Sequence, residues 1–328
     1  MDNFIDYLLP NSSNVIRPQL FKDEKFTMTI PPIAEHGFSA LIQIFNNNNN
    51  ENERIINDHN NSKKNNDTVF LFDTGVSEKG VIHNAKALGI NLVDIDTIIL
   101  SHGHFDHFSG IYNILKEIRL SSSKIIDIYV HPDAFLKRWE IHSNGKKAKM
   151  PFLEQKKLET YGINLHKNND HVFLPNKYDK DLLITGRIPR ETSFEKGYPV
   201  QYKEDQCCNK KLIPDPMVDD DQAVIINVKG KGLIILTGCG HSGIINTIRH
   251  AKKLTGIDKI YTVLGGFHLP ADGNIYEQAI EPTLMEIKEN NPRYVIPCHC
   301  TGWKATNKII DIMPEKFIQS SVGTIFTF

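Results

Sequence analysis

Short apolar runs of strand length alternate along this chain with stretches whose apolar positions recur at helical spacing. Phe38–Phe45, FSALIQIF, and Asp67–Phe72, DTVFLF, read as strands, the second ending in the turn Asp73-Thr74-Gly75. A helix around Val81–Leu88 and a strand over Thr97–Leu100 follow. After a histidine-rich turn, Ile111, Ile114, Leu115 and Ile118 keep the i, i+3, i+4, i+7 spacing of a half-buried helix, and Lys124–Val130 supplies the next strand. From His131 to about Leu212 the pattern is irregular and charge-rich, which predicts an inserted cap with few regular elements. Regular alternation returns with strands at Ala223–Val228 and Leu233–Leu236, a helix over Ile244–Leu254, a strand at Ile260–Leu264, a helix over Tyr276–Glu289, and strands at Tyr294–Ile296 and Val322–Phe328.

One segment breaks the pattern. Residues 46–66, NNNNNENERIINDHNNSKKNN, hold few apolar side chains and cannot bury enough surface to offset the entropy of ordering, so they are expected to form a disordered loop extending a hairpin. No internal repeat and no linker of domain-boundary composition is found. The reading is an α/β class protein, one domain over residues 1–328, with helices outside packed sheets.

Composition sharpens this picture little. A chain of 328 residues, 40% hydrophobic with 16 prolines and 21 glycines, is an ordinary globular protein with room for a large core. A formal charge of −1 offers no general attraction to nucleic acid or an anionic membrane and is otherwise uninformative about substrate; a nuclease is disfavoured because the sequence shows no basic groove, and the expected partner is a small-molecule substrate. The first residues, MDNFIDYLLP, lack the basic start and long apolar core of a secretory signal, and no segment approaches the roughly 18 apolar residues of a membrane span. Five cysteines, two of them adjacent at Cys207 and Cys208, do not form a disulfide framework. A cytoplasmic protein is expected, and a homo-oligomer is compatible with the sequence.

The chemistry gathers at SHGHFDHFSG, which begins where the strand IDTIIL ends. Three histidines and a carboxylate within six positions, on a loop at a strand's C-terminal end, suit zinc or a similar divalent ion, with Mn²⁺ and Fe²⁺ as alternatives. His102 and His104 point the same way if the loop stays extended, while Asp106 and His107 lie beyond a turn and can face a second ion. Two ions about 3.5–4 Å apart can acidify a water and polarise the bond under attack, which implies hydrolysis. Three further segments repeat the order of strand, glycine-rich turn and histidine: LIILTGCGHSG with His241, YTVLGGFHL with His268, and YVIPCHCTG with His299. Parallel strands ending on one sheet edge would bring these together.

HGHFDH in this context resembles the signature of the metallo-β-lactamase superfamily. With AEHGFSALI, FDTG, VHPDAF, TGRIPRETSFEKG, DDQAVII, LTGCGHSGIINTIRHAKKLTG, GGFHL and PCHCTGWKA, the chain from Ile33 to Phe328 resembles the subgroup of 7,8-dihydropterin-6-methyl-4-(β-D-ribofuranosyl)aminobenzene 5′-phosphate synthases. The resemblance implies an αββα sandwich with an irregular inserted cap and metals at the edge between two sheets. It also implies that His102 and His104 hold one ion, that Asp106 and His107 hold the other, and that His299 is the last ligand of the second. His241 is taken as the third ligand of the first. Many superfamily members carry a bridging aspartate where this chain has Cys239, and a ligand histidine where it has Asp219-Asp220-Asp221. Cys239 has two readings, a thiolate ligand or a small buried residue in the turn. Cys298 and Cys300 are expected to point away from His299 by strand alternation.

His268 is assigned to substrate holding or proton donation and Asp106 to orienting or relaying a proton. His36, Arg187 and Arg190 are candidate substrate contacts, the arginines for an anionic group, against the alternative of a solvated surface. Trp303 is expected either to line the pocket or to lie in the core. The leading function is hydrolysis of an ester-like or phosphoryl bond, with a phosphorylated, ribose-bearing pterin precursor suggested by the subgroup. An acyl homoserine lactonase is the second reading, and β-lactamase or phosphodiesterase activity would use the same centre. A redox di-iron protein would bring an additional flavin domain, and a nonenzymatic regulator would lack part of the cluster.

Overall fold

A computed structural model of the protein describes residues 1–21, 27–45, 67–174, 182–205, 211–270 and 274–328; the asparagine-rich segment 46–66 lies outside them. The chain runs through β1 (Val15–Ile16), β2 (Ala40–Ile44), β3 (Thr68–Phe72), α1 (Gly80–Ala87), β4 (Thr97–Ile99), α2 (Phe105–Phe108), α3 (Ile111–Ser121) and β5 (Asp127–Val130). It continues with β6 (Arg138–Ile141), β7 (Lys147–Lys149), α4 (Gln155–Glu159), β8 (Asn164–Lys167), β9 (Val172–Leu174), β10 (Leu182–Ile184), β11 (Gln201–Glu204) and β12 (Leu212–Pro214). The last part holds β13 (Ala223–Val228), β14 (Gly232–Thr237), α5 (Ile244–Thr255), β15 (Ile260–Gly265), α6 (Asn274–Asn290), β16 (Tyr294–Pro297), α7 (Trp303–Ile312) and β17 (Ile325–Phe326).

Two sheets carry the fold. The first has the order β2-β3-β4-β5-β8 and the second β16-β15-β14-β13-β10-β9. Residue alternation builds three apolar layers from them. In β3, Val69 and Leu71 face α1 and α3, while Phe70 and Phe72 face the second sheet. In β10 and β13, Leu183, Ala223 and Ile225 face α5, α6 and α7, while Leu182, Ile184 and Val224 meet the phenylalanines of the first sheet. The order of layers is therefore helix, sheet, sheet, helix, the αββα sandwich expected.

β3, β4, β5 and β8 are mutually parallel, as are β14, β15 and β16. Their C-terminal ends converge on one edge of the sandwich, where the loops are free to carry chemistry. Among the described residues, no helix is long and apolar enough to cross a membrane.

Two expectations fail in instructive ways. The stretch 131–212, expected to hold few regular elements, supplies β8 to the first sheet and β9 and β10 to the second, besides a four-stranded sheet β12-β11-β6-β7 completed just beyond its end. Its strands are only three or four residues long, too short for a period-2 signal to stand out against charged neighbours. The last strand covers two residues rather than seven, pairing with β1, and α7 was not anticipated.

Candidate metal centre

Each parallel strand delivers one part of the site. β3 ends at Asp73, β4 leads into Ser101 and the cluster 102–107, β14 into Cys239 and His241, β15 into His268, and β16 into His299. His102, His104, Asp106, His107, His241, His299 and Cys239 are all buried. Asp73, His268 and His299 adopt φ of 60°, 42° and 51°, a left-handed conformation that disfavours side chains other than glycine. Such backbone is held by its surroundings, and here Asp73 directly follows a strand of the site while His268 and His299 lie in the turns just beyond theirs.

Three imidazoles have their outward nitrogen committed. Ser101 Oγ donates to Asp73 Oδ2 at 2.7 Å, so it accepts from His102 Nδ1 at 2.9 Å. Asp73 Oδ2 also accepts from His107 Nδ1 at 2.6 Å. Gln201 Oε1 accepts from His104 Nε2, the amide's orientation being set because its Nε2 donates to the carbonyl and carboxylate of Asp215, each at 3.0 Å. A neutral ring that donates through one nitrogen keeps a lone pair on the other. Those lone pairs face inward. His107 Nε2 lies 3.1 Å from His299 Nε2 and 3.1 Å from Cys239 Sγ, and His104 Nδ1 lies 3.1 Å from His241 Nε2. His102 Nε2 is buried with no hydrogen-bond partner among the described residues.

Buried lone pairs without a donor are what a cation satisfies, and outer carboxylates or amides that fix the tautomer are the usual support of histidine ligands. Three groups of candidate ligand atoms result among the described residues: Asp106, His107, Cys239 and His299; His102, Cys239 and His241; and the less buried Cys239, His268 and Cys300, with the atoms of each within 4.8 Å of one another. The residues present fit metal binding.

Without an ion, burial pushes His102 well below the usual imidazole range, helped by repulsion from His107 and His104. Burial and then Arg138 lower His104 to about 4, and burial with His268 and the other rings lowers His241. All three are therefore neutral at pH 7, as ligands must be. For His107, burial is outweighed by the carboxylates of Asp106 and Asp73, which raise it to about 9, so without an ion its inward Nε2 carries a proton at pH 7, and that proton must leave before the nitrogen can bind a cation. Burial opposes ionisation of Asp106 too, but His107 and His299 hold it far below the carboxylate range.

A family model described as the metallo-beta-lactamase superfamily matches residues 64–252, more than half of the chain. The chain belongs to the metallo-β-lactamase superfamily. A protein of Methanocaldococcus jannaschii named 7,8-dihydropterin-6-methyl-4-(β-D-ribofuranosyl)-aminobenzene-5′-phosphate synthase is 31% identical over 299 residues, 90% of each chain. An uncharacterised protein of the same organism is 32% identical over 295 residues, covering 89% of this chain and 93% of its own. The crystal structure of Tm1679, titled a metal-dependent hydrolase of the β-lactamase superfamily, superimposes with a TM-score of 0.63 at 21% identity, covering 81% of this chain and 93% of that one.

Within this metallo-β-lactamase fold, several side chains stand differently from expectation. Cys300 does not point away from the centre: the left-handed His299 ends strand alternation, and Cys300 Sγ donates to the Cys239 carbonyl at 3.0 Å, near His268. Cys298 does face the core between the sheets. Asp220 and Asp221 are fasteners. Asp220 accepts from Gly103 N at 2.7 Å inside the metal loop, and Asp221 accepts from Ser242 N at 2.7 Å beside His241. Arg190 donates to the carbonyls of His241 and Met217, its buried Nε having no partner among the described residues, and Arg187, more than half exposed, pairs with Asp219 at 3.0 Å. Trp303 lies neither in pocket nor core, being 71% exposed at the start of α7.

His36 does reach the metallo-β-lactamase centre. Its side chain is 70% exposed, with Nε2 4.0 Å from Asp106 Oδ2 and its ring 5.2 Å from that of His299. His268 packs against His241 with the rings tilted at 54° and their centroids 4.1 Å apart, and its Nε2 lies 3.4 Å from the Tyr276 hydroxyl. Burial raises Tyr276 to about 12, so its hydroxyl stays protonated. Asp73, Ser101 and Gln201 escaped the sequence reading. Asp73 had a signal, standing at a strand end in FDTG; Gln201 had none, because its place depends on how β11 folds over the site.

Proposed function

We propose that the protein is a cytoplasmic metal-dependent hydrolase acting on an ester-like or phosphoryl bond of a small, phosphorylated, ribose-bearing pterin-type molecule. The observation that carries this is the set of inward imidazole lone pairs, fixed by Asp73, Ser101 and Gln201 around an unpartnered His102 Nε2. His102, His104 and His241 would hold one ion and Asp106, His107 and His299 a second, with zinc favoured by the mixture of imidazole, carboxylate and thiol. When bound, the two ions supply Lewis-acid polarisation and a lowered pKa for water.

The remaining work falls to side chains. The ionised Asp106, with Oδ2 3.4 Å from His299 Nε2 and 3.7 Å from His107 Nε2, orients the attacking water by accepting a hydrogen bond from it. His36, exposed at the mouth, contacts the substrate near Asp106. His268, half-buried and backed by Tyr276, gives a proton to the leaving group. The name of the M. jannaschii relative supports the substrate class. Free thiols at Cys239, Cys298 and Cys300 support a reducing compartment.

The test is a panel of phosphodiesters, cyclic phosphates, lactones, β-lactams and ribosyl-aminobenzene phosphates, run with zinc-, manganese- and iron-loaded protein. His102→Ala/His104→Ala is expected to lose metal and turnover together while keeping its circular dichroism. A folded double variant that retains both would overturn the assignment.

A further inference from the structure

We propose that the Cys239 thiolate is a ligand shared by both ions, bridging them; this rests on reading the cluster as a two-metal centre. Among the described residues, Cys239 is the one side chain common to the group with Asp106, His107 and His299 and the group with His102 and His241. Its Sγ lies 3.1 Å from His107 Nε2 and 3.3 Å from His299 Nε2. Sulfur at about 2.3 Å and nitrogen at about 2.0–2.1 Å from one tetrahedral zinc stand about 3.5 Å apart. The observed separations are close to that.

Among the described residues, no carboxylate falls in both groups. Asp106 belongs to one group only, Asp220 is held by Arg138 and Gly103, and Asp221 accepts from Ser242. Charge points the same way. Neutral imidazoles and one carboxylate leave two dications poorly compensated in a buried site, and a thiolate adds the missing negative charge where both ions share it. The turn is built to deliver the sulfur. Gly238, just before it, lies against Ser101 and Asp73 so closely that a methyl group would strike Ser101 Oγ.

Cobalt titration of the metal-free protein tests this, read by thiolate-to-cobalt charge-transfer absorption and by bound cobalt per chain. The chain used carries serine at Cys207, Cys208 and Cys300, leaving Cys239 and the core Cys298 as thiols. Two equivalents are expected to bind, with the absorption growing through the first and again through the second. Cys239→Ser in that background is expected to abolish the absorption and lower stoichiometry to one equivalent or fewer. Two bound equivalents without the absorption, or absorption complete at the first, would overturn the bridge while leaving the metal centre standing. Failure of the unsubstituted chain to bind cobalt or zinc would overturn both.

Discussion

Asp73 reaches the centre only through other residues, taking hydrogen bonds from His107 Nδ1, Ser101 Oγ and Ser101 N. Asp73→Asn replaces one carboxylate acceptor by an amide donor and disturbs two imidazoles at once. Loss of such outer partners generally costs about 10–100-fold in metal affinity. That drop, measured by competition with a chromophoric chelator, is the expected outcome, and an unchanged affinity would remove Asp73 from the machinery. Asp221 makes a different prediction. Burial raises it to about 6, against hydrogen bonds from Ser242, so the folded chain keeps a proton that the unfolded chain loses near its ordinary 3.8. Unfolding therefore releases that proton between roughly pH 4 and 6, and stability falls as pH rises through this window. The difference amounts to on the order of 3 kcal/mol. Asp221→Asn is expected to flatten that slope in urea denaturation followed across pH.

At the scale of elements, the four-stranded sheet formed by β6, β7, β11 and β12 is tied to the metal loop by buried polar groups. Arg138 of β6 donates through Nε to Asp215 at 3.1 Å and through both other nitrogens to Asp220, which in turn accepts from Gly103 N. Gln201 of β11 holds His104. A mispositioned cap would thus free the His104 imidazole. Arg138→Met leaves Asp220 buried and uncompensated, and removal of one partner from a buried pair costs about 3–5 kcal/mol. Chemical denaturation should show this loss, and Asp220→Asn added to it should recover part. Gln201→Leu should lower metal affinity and also cost stability, about 1–3 kcal/mol, because it strands the buried Nε2–H of His104 and the acceptors of Asp215. β8, β9 and β10 show the limit of pattern reading at this scale. Runs such as LLI in β10 are too short to distinguish strand from helix, and only pairing with β13 and β9 makes β10 a strand.

For the whole molecule, metal binding and folding are expected to be linked, since an ion that binds only the folded state stabilises it by mass action, about 4 kcal/mol at a thousandfold excess over Kd. Tm should rise with zinc concentration and fall on chelation, and a Tm indifferent to metal would contradict the centre. The amino-acid sequence by itself determined the order of most strands and helices, because apolar periodicity records which face each element buries. It also placed His102, His104, Asp106 and His107 on one loop, and His241, His268 and His299 at later strand ends. Tertiary structure alone decided that Cys239 stands between the imidazoles, that Cys300 turns toward His268, and that Arg190 and Asp220 hydrogen-bond to backbone. These depend on left-handed residues at strand ends and on contacts across about a hundred residues of chain, such as Gln201 with His104. Local spacing carries no record of either, because which buried polar groups meet is settled only when both sheets close on one edge.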